Sequence, residues 1–225
     1  FGASPEGIQG LALKRANRHG LIAGATGTGK TVTLQVLAEA FAREGVNVFA
    51  ADIKGDLCGL GAAANPQGKV AERIAGMPFL DYTAQAYPVT LWDIHGQSGH
   101  PLRTTISEMG PLLLGSLLEL TDSQQSALYA AFKVADREGL LLLDLKDLKA
   151  LLNHLRYHPE LLGEDAALMT TGSSQALLRR LAVLEQQGAE ALFGEPALQL
   201  EDILQPASDG RGRIHLLDAS RLVHE

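Results

Sequence analysis

Eight consecutive residues, Gly24-Ala25-Thr26-Gly27-Thr28-Gly29-Lys30-Thr31, have types and spacing suited to one kind of chemistry. They fit G-x-x-x-x-G-K-[ST], a loop that holds a polyphosphate. Gly24, Gly27 and Gly29 allow backbone conformations that a Cβ resists, so successive N–H groups can turn toward one anion. A helix beginning near Lys30 adds the partial positive charge of its N-terminus. Lys30 is expected to reach the β- and γ-phosphates, which makes it the candidate catalytic residue, and the Thr31 hydroxyl is expected to ligate Mg²⁺. The nucleotide-binding set is therefore Gly24, Thr26, Gly27, Thr28, Gly29, Lys30, Thr31 and Val32.

The elements that position this loop can be read on either side of it. Gly20-Leu21-Ile22-Ala23 is a short apolar run expected to be a buried strand. Val32, Leu34, Val36, Leu37, Ala40 and Phe41 recur at helical spacing as far as Gly45, a good stop residue. Val46 to Ala51 reads as a second strand, ending in Asp52. A carboxylate at the carboxyl end of a strand in an open α/β sheet sits where ligands bind, which makes Asp52 a candidate Mg²⁺ ligand. The other reading is a turn built from Asp, Lys and Gly, and the residue types favour neither. Pro88 to Asp93 and Arg213 to Asp218 read as two further strands, and Val70 to Ile74 as a short helix.

Between these strands the character changes. Residues 111 to 158 are leucine-rich at helical spacing, with little β-branching. Thr121 with Gln124, and Asp122 with Gln125, offer overlapping capping boxes for a helix that stops at Gly139. Asp144 is placed to cap the next helix, whose stripe is Leu145, Leu148, Leu151, Leu152 and Leu155. Ser174 to Gln187 is amphipathic, with Leu177, Leu178, Leu181 and Leu184 at core spacing and Gly188 as its stop. The expected organisation is a first part of an α/β core over 1–103, an all-helical insertion over 104–165, and a return to the core over 166–225.

Other patterns carry less. Asp52 to Gly55 spells D-x-x-G, but no asparagine precedes a lysine, so the guanine-specific N-K-x-D is missing. Gly59 to Ala64 matches G-x-G-x-x-A without joining a strand directly to a helix, and is expected to be a loop. His154 and His158 stand i,i+4 apart, as metal ligands can, but Leu155 occupies the zincin glutamate position and Pro159 follows at once. No metal site is expected there.

The composition sets limits. With 225 residues, 46% hydrophobic and 20% charged, the chain can bury a proper core. A net charge of −7 argues against a surface that is basic throughout, while leaving room for a local basic groove. One cysteine, Cys58, excludes an internal disulfide framework and suits a reducing cytoplasm. No apolar run approaches the ~20 residues of a membrane span. The chain begins at Phe1 and is expected to be a piece of a longer protein. Four apolar runs end in aspartate (Asp52, Asp93, Asp144, Asp218), yet none continues into the Asp-Glu pair that a phosphate-loop ATPase uses to hold Mg²⁺ and activate water.

Taken together, His19 to Thr33, Val48 to Leu57, His100 to Leu114, Glu138 to Leu148 and Phe193 to Leu198 resemble, in the same order, the HerA-like ATPases of the HerA/FtsK group. The likeness is greatest to the YjgR-type bacterial proteins. The resemblance implies an α/β phosphate-loop NTPase fold of RecA-like kind, a three-layer sandwich with a mainly parallel sheet and a helical insertion. It also implies ATP and Mg²⁺ as ligands, a homo-oligomeric ring, a hexamer by resemblance, and ATP-driven movement of DNA. Asp52 and Lys54 match the family's signature after the second strand. The family's Asp-Glu pair is expected beyond Glu225, so residues 1–225 should bind nucleotide and hydrolyse it poorly. Three alternatives are weighed: a nucleotide-dependent switch or scaffold, a ring that moves protein, and, more distantly, a small-molecule kinase, for which no acceptor site is recognisable.

Overall fold

A computed structural model describes residues 2–4, 7–77 and 82–220. The chain divides into two units, Phe1–His100 with Gln199–Glu225, and Pro101–Leu198.

The first unit is built on a four-stranded sheet. Apolar runs bounded by turn residues form β3 (Val48–Asp52), β4 (Val89–Asp93) and β6 (Ile214–Asp218). With β5 (His100–Pro101) the spatial order is β3-β6-β4-β5, and β6 lies parallel to both β3 and β4. Strand alternation puts Val48, Ala50, Ile214 and Leu216 on one face, where they meet Leu57, Leu60, Tyr87 and helix α1 (Lys30–Arg43). On the opposite face the Trp92 indole donates from Nε1 to His215 Nδ1 at 3.0 Å, and the two rings stack. The Asn47 amide joins the ends of distant segments. Its Oδ1 accepts from Arg213 N and its Nδ2 donates to Ile203 O, both at 2.8 Å. A Cβ on Gly212 would strike the Val46 backbone, and this close approach lets Gly212 N reach Ala42 O at 2.7 Å. Helix α2 (Lys69–Ala75), helix α7 (Leu200–Leu204) and the antiparallel pair β1 (Gly2–Ser4) and β2 (Gly7–Gln9) complete this unit.

Two sequence expectations change here. Gly20 to Ala23 is irregular and Leu21 is 90% exposed, so no buried strand leads into the phosphate loop. An apolar tetrapeptide forms a strand only where a neighbour offers a pairing edge, and these four residues make no ladder among the described residues. Helix α1 also turns a different line inward than its larger side chains suggested. Ala38 and Ala42 are buried, while Val32, Leu34 and Val36 are exposed by at least a third. Small side chains let the helix axis come close to the sheet.

The second unit is helical, with α3 (Ile106–Leu117), α4 (Asp122–Glu138), α5 (Leu145–Tyr157) and α6 (Thr171–Gln186). A capping box starts α3, since Thr105 Oγ1 accepts from Glu108 N at 3.1 Å and Glu108 Oε2 accepts from Thr105 N at 3.3 Å. Gly110, at φ 69°, kinks the helix just before Pro111. Thr121 N donates to Gln124 Oε1, as the first expected box requires. The second expected box does not form, because Gln125 turns its amide to Pro111 O at 2.9 Å. Asp144 caps α5 by accepting from the N–H groups of Lys146 and Asp147. Leu114, Leu128, Leu148, Leu152, Leu177 and Leu181 are fully buried in one shared core. This unit runs past residue 165 to Leu198, because α6 buries its leucines against α4 and α5 and a Lys149–Glu185 ion pair at 2.7 Å fastens α5 to α6.

Candidate functional site

Gly24 to Thr31, the candidate phosphate loop, forms a tight bend that leads directly into helix α1. Gly27 and Gly29 adopt φ of 81° and 94°, in the left-handed region that glycine tolerates. Thr28 closes the bend by donating from its hydroxyl to Ala25 O at 2.8 Å. A Cβ on Gly24 would lie 2.5 Å from that hydroxyl oxygen and would push Thr28 out of this hydrogen bond, whereas beside Gly27 and Gly29 a Cβ would meet nothing within 4 Å. Helix α1 begins directly at Lys30, with no side-chain cap and no acidic residue in its first turn. Its leading N–H groups and the positive end of its dipole are thus left for an external anion.

Lys30 arches back over the loop and donates from Nζ to Gly24 O and Ala25 O, each at 2.8 Å. An ammonium has three donors, so one remains for a phosphate oxygen. The neighbouring threonines divide the work. Thr33 spends its hydroxyl on Gly29 O at 3.0 Å, whereas Thr31 Oγ1 bonds none of the described residues and keeps its lone pairs for a cation. The observed groups therefore suit a magnesium–polyphosphate ligand: N–H groups and an ammonium for the anion, and a free hydroxyl for a hard cation.

Asp52 takes another part. It is 7% exposed, and its carboxylate accepts four N–H groups, those of Lys54, Gly55 and Asp56 on Oδ1 and that of Leu57 on Oδ2. This supports the turn reading and leaves the Mg²⁺-ligand reading without support from the geometry. The turn is tied to the phosphate-loop helix, since Gln35 on α1 donates to Asp56 O at 2.9 Å. Lys54 is exposed on it.

Sequence reading missed one arrangement. The parallel register sets Asp52, Asp218 and Asp93 side by side at the carboxyl end of the sheet. Each closes the turn after its own strand. Asp93 accepts from His95, Gln97 and Ser98 at 2.7–2.9 Å, and Asp218 accepts from the N–H and hydroxyl of Ser220. Burial pushes the Asp93 carboxyl up, but the Ser98, His95 and Gln97 N–H groups outweigh it and hold the group below its ordinary value. The three apolar runs ending in aspartate were visible in the sequence; the strand order that aligns them was not. Among the described residues no group of three or more His, Cys, Asp or Glu side chains is arranged to hold a metal ion. No described helix is long and apolar enough to cross a membrane.

The family model described as helicase HerA-like C-terminal matches residues 3–225. No curated protein and no solved structure matches the chain. A phosphate loop at the head of a helix beside a parallel sheet, within a match spanning almost the whole chain, gives the assignment: the chain belongs to the helicase HerA-like C-terminal family, a family of ATPases.

Proposed function

We propose that this chain is the ATP-binding motor domain of a HerA-like DNA translocase or helicase, which hydrolyses ATP when complete and assembled as a homo-oligomeric ring, taken as a hexamer by family resemblance. The observation that carries the reading is the open phosphate loop, with left-handed Gly27 and Gly29, the uncapped start of α1 and the Lys30 ammonium directed along it. Gly24 and Thr26 to Val32 surround the phosphates, Lys30 neutralises their charge, and the Thr31 hydroxyl holds Mg²⁺. Bound MgATP supplies the phosphoanhydride whose terminal phosphoryl passes to water. Asp52 contributes by fixing the turn against α1. The DNA partner, the ring and a cytoplasmic location rest on the family alone, as does the likeness to the YjgR-type bacterial proteins.

A specific observation favours a second reading for residues 1–225 taken alone. The three aligned strand-end carboxylates all accept hydrogen bonds from their own turns, a structural task that the activation of water would have to share. These residues therefore bind nucleotide with little turnover, as a nucleotide-dependent switch or scaffold also does. The ATPase rate of the natural full-length protein, measured with and without DNA, separates the readings. DNA stimulation abolished by Lys30→Ala is the result expected of the motor. Binding without turnover under either condition identifies a switch, and turnover that responds to a protein substrate but not to DNA identifies a protein-moving ring.

A further inference from the structure

His154 lies in the last turn of α5 and His158 is the residue that caps it, and their ring centroids lie 4.5 Å apart. Both residues are exposed. The backbone beneath them is fixed, because Leu151, Leu152 and Leu155 on the same helix are buried and His158 N donates to His154 O at 3.0 Å. The i,i+4 spacing alone supplied two imidazoles and no third group. In the structure the chain turns at Pro159 and brings Glu160 back to the ring, with Oε1 2.9 Å from His158 Nδ1.

That contact orients the ring. With Nδ1 turned to the Glu160 carboxylate, Nε2 is the nitrogen on the opposite edge of the ring, and it carries the lone pair when the ring is neutral with its proton on Nδ1. A carboxylate on one imidazole nitrogen fixes the ring and makes the other nitrogen more basic, an outer-shell arrangement that metal-binding histidines commonly use.

We propose that His154 and His158 form a two-imidazole chelate for a divalent transition-metal ion of the Zn²⁺, Ni²⁺ or Cu²⁺ class, with Glu160 as the positioning residue for His158 and water in the remaining coordination positions. Imidazole nitrogens suit these ions, whereas Mg²⁺ prefers oxygen, so this site and the nucleotide's cation do not compete. Metal–nitrogen bonds of about 2.0–2.1 Å are within reach of two neighbouring imidazoles one helical turn apart. With only two protein ligands the ion exchanges readily, and it clamps the last turn of α5.

The test is a titration of nucleotide-free protein with Ni²⁺ or Zn²⁺ alone in a non-coordinating buffer, followed by calorimetry and by the imidazole proton resonances. The expected result is one-to-one saturable binding that perturbs both rings, while Mg²⁺ perturbs neither. His154→Ala and His158→Ala each weaken binding by about tenfold or more, and Glu160→Gln weakens it by up to about tenfold. All three positions are exposed, so circular dichroism should stay unchanged. Absence of saturable binding at millimolar metal overturns the proposal, as does binding that survives both histidine substitutions or equal perturbation of the rings by Mg²⁺. Binding that needs the histidines but ignores Glu160→Gln removes Glu160 from its positioning role.

Discussion

Lys30 and Asp52 are both charged residues at loop-to-element junctions, yet their surroundings give them opposite tasks. Lys30 has two donors on the loop's own carbonyls and a third to spare, which leaves it suited to a phosphate. Lys30→Ala should weaken ATP binding by about 10- to 100-fold, from the loss of charge-assisted hydrogen bonds of about 1.5–3 kcal/mol. The Asp52 carboxylate accepts four backbone N–H groups, three on Oδ1 and one on Oδ2, all from its own turn. Asp52→Asn would present an amide N–H₂ where an acceptor is needed, and should lower stability by about 1–3 kcal/mol in urea unfolding. The Mg²⁺ dependence of nucleotide affinity should stay the same; a changed dependence with unchanged stability would restore Asp52 as a metal ligand. His215 supplies a pH signal. Burial, aided by the Arg213 charge, lowers its pKa from 6.5 against a weaker upward pull from the Ile203 backbone. The folded state therefore binds fewer protons than the unfolded state below that value, so stability falls as pH drops from about 6.5 toward the lowered folded pKa. His215→Gln, which can still accept from Trp92, should flatten the fall in a pH series of unfolding midpoints.

At the scale of elements, the sequence announced most of what local rules decide. Apolar runs ending in aspartate became β3, β4 and β6, and the stops at Gly139 and Gly188 hold, with φ of 66° and 83°. What it could not announce depends on neighbours. Gly20 to Ala23 has the composition of a strand, but no edge pairs with it among the described residues. The inward line of α1 is set by how near the helix lies to the sheet, and that distance is not written in the helix's own periodicity. The leucine stripe of α6 shows that it has a core face without showing whose core it joins, so the expected boundary at 165 fell short of Leu198. In the candidate site, the spacing of Gly24 to Thr31 announced the bend at Gly27 and Gly29 and the helix start at Lys30. The row of Asp52, Asp218 and Asp93 needed the strand order. One close approach holds these elements at their spacing. Gly212→Ala would press a methyl group into the Val46 backbone and should cost about 1–3 kcal/mol, read as a lower urea midpoint with an unchanged slope. A substitution without effect there would show that Gly212 N and Ala42 O do not meet as described.

At the scale of the whole molecule, a sheet-based unit carries Gly24 to Thr31 and a helical unit has its own buried leucine core. Family membership places this chain among ATPases. The central claim is that Gly24 to Thr31 bind MgATP. It is tested most directly by equilibrium titration of residues 1–225 with a fluorescent ATP analogue, with and without Mg²⁺, for the natural sequence and for Lys30→Ala. The account predicts one saturable site that Mg²⁺ strengthens and that Lys30→Ala weakens at least about tenfold. Absence of saturable binding, or binding indifferent to Lys30→Ala, would contradict it.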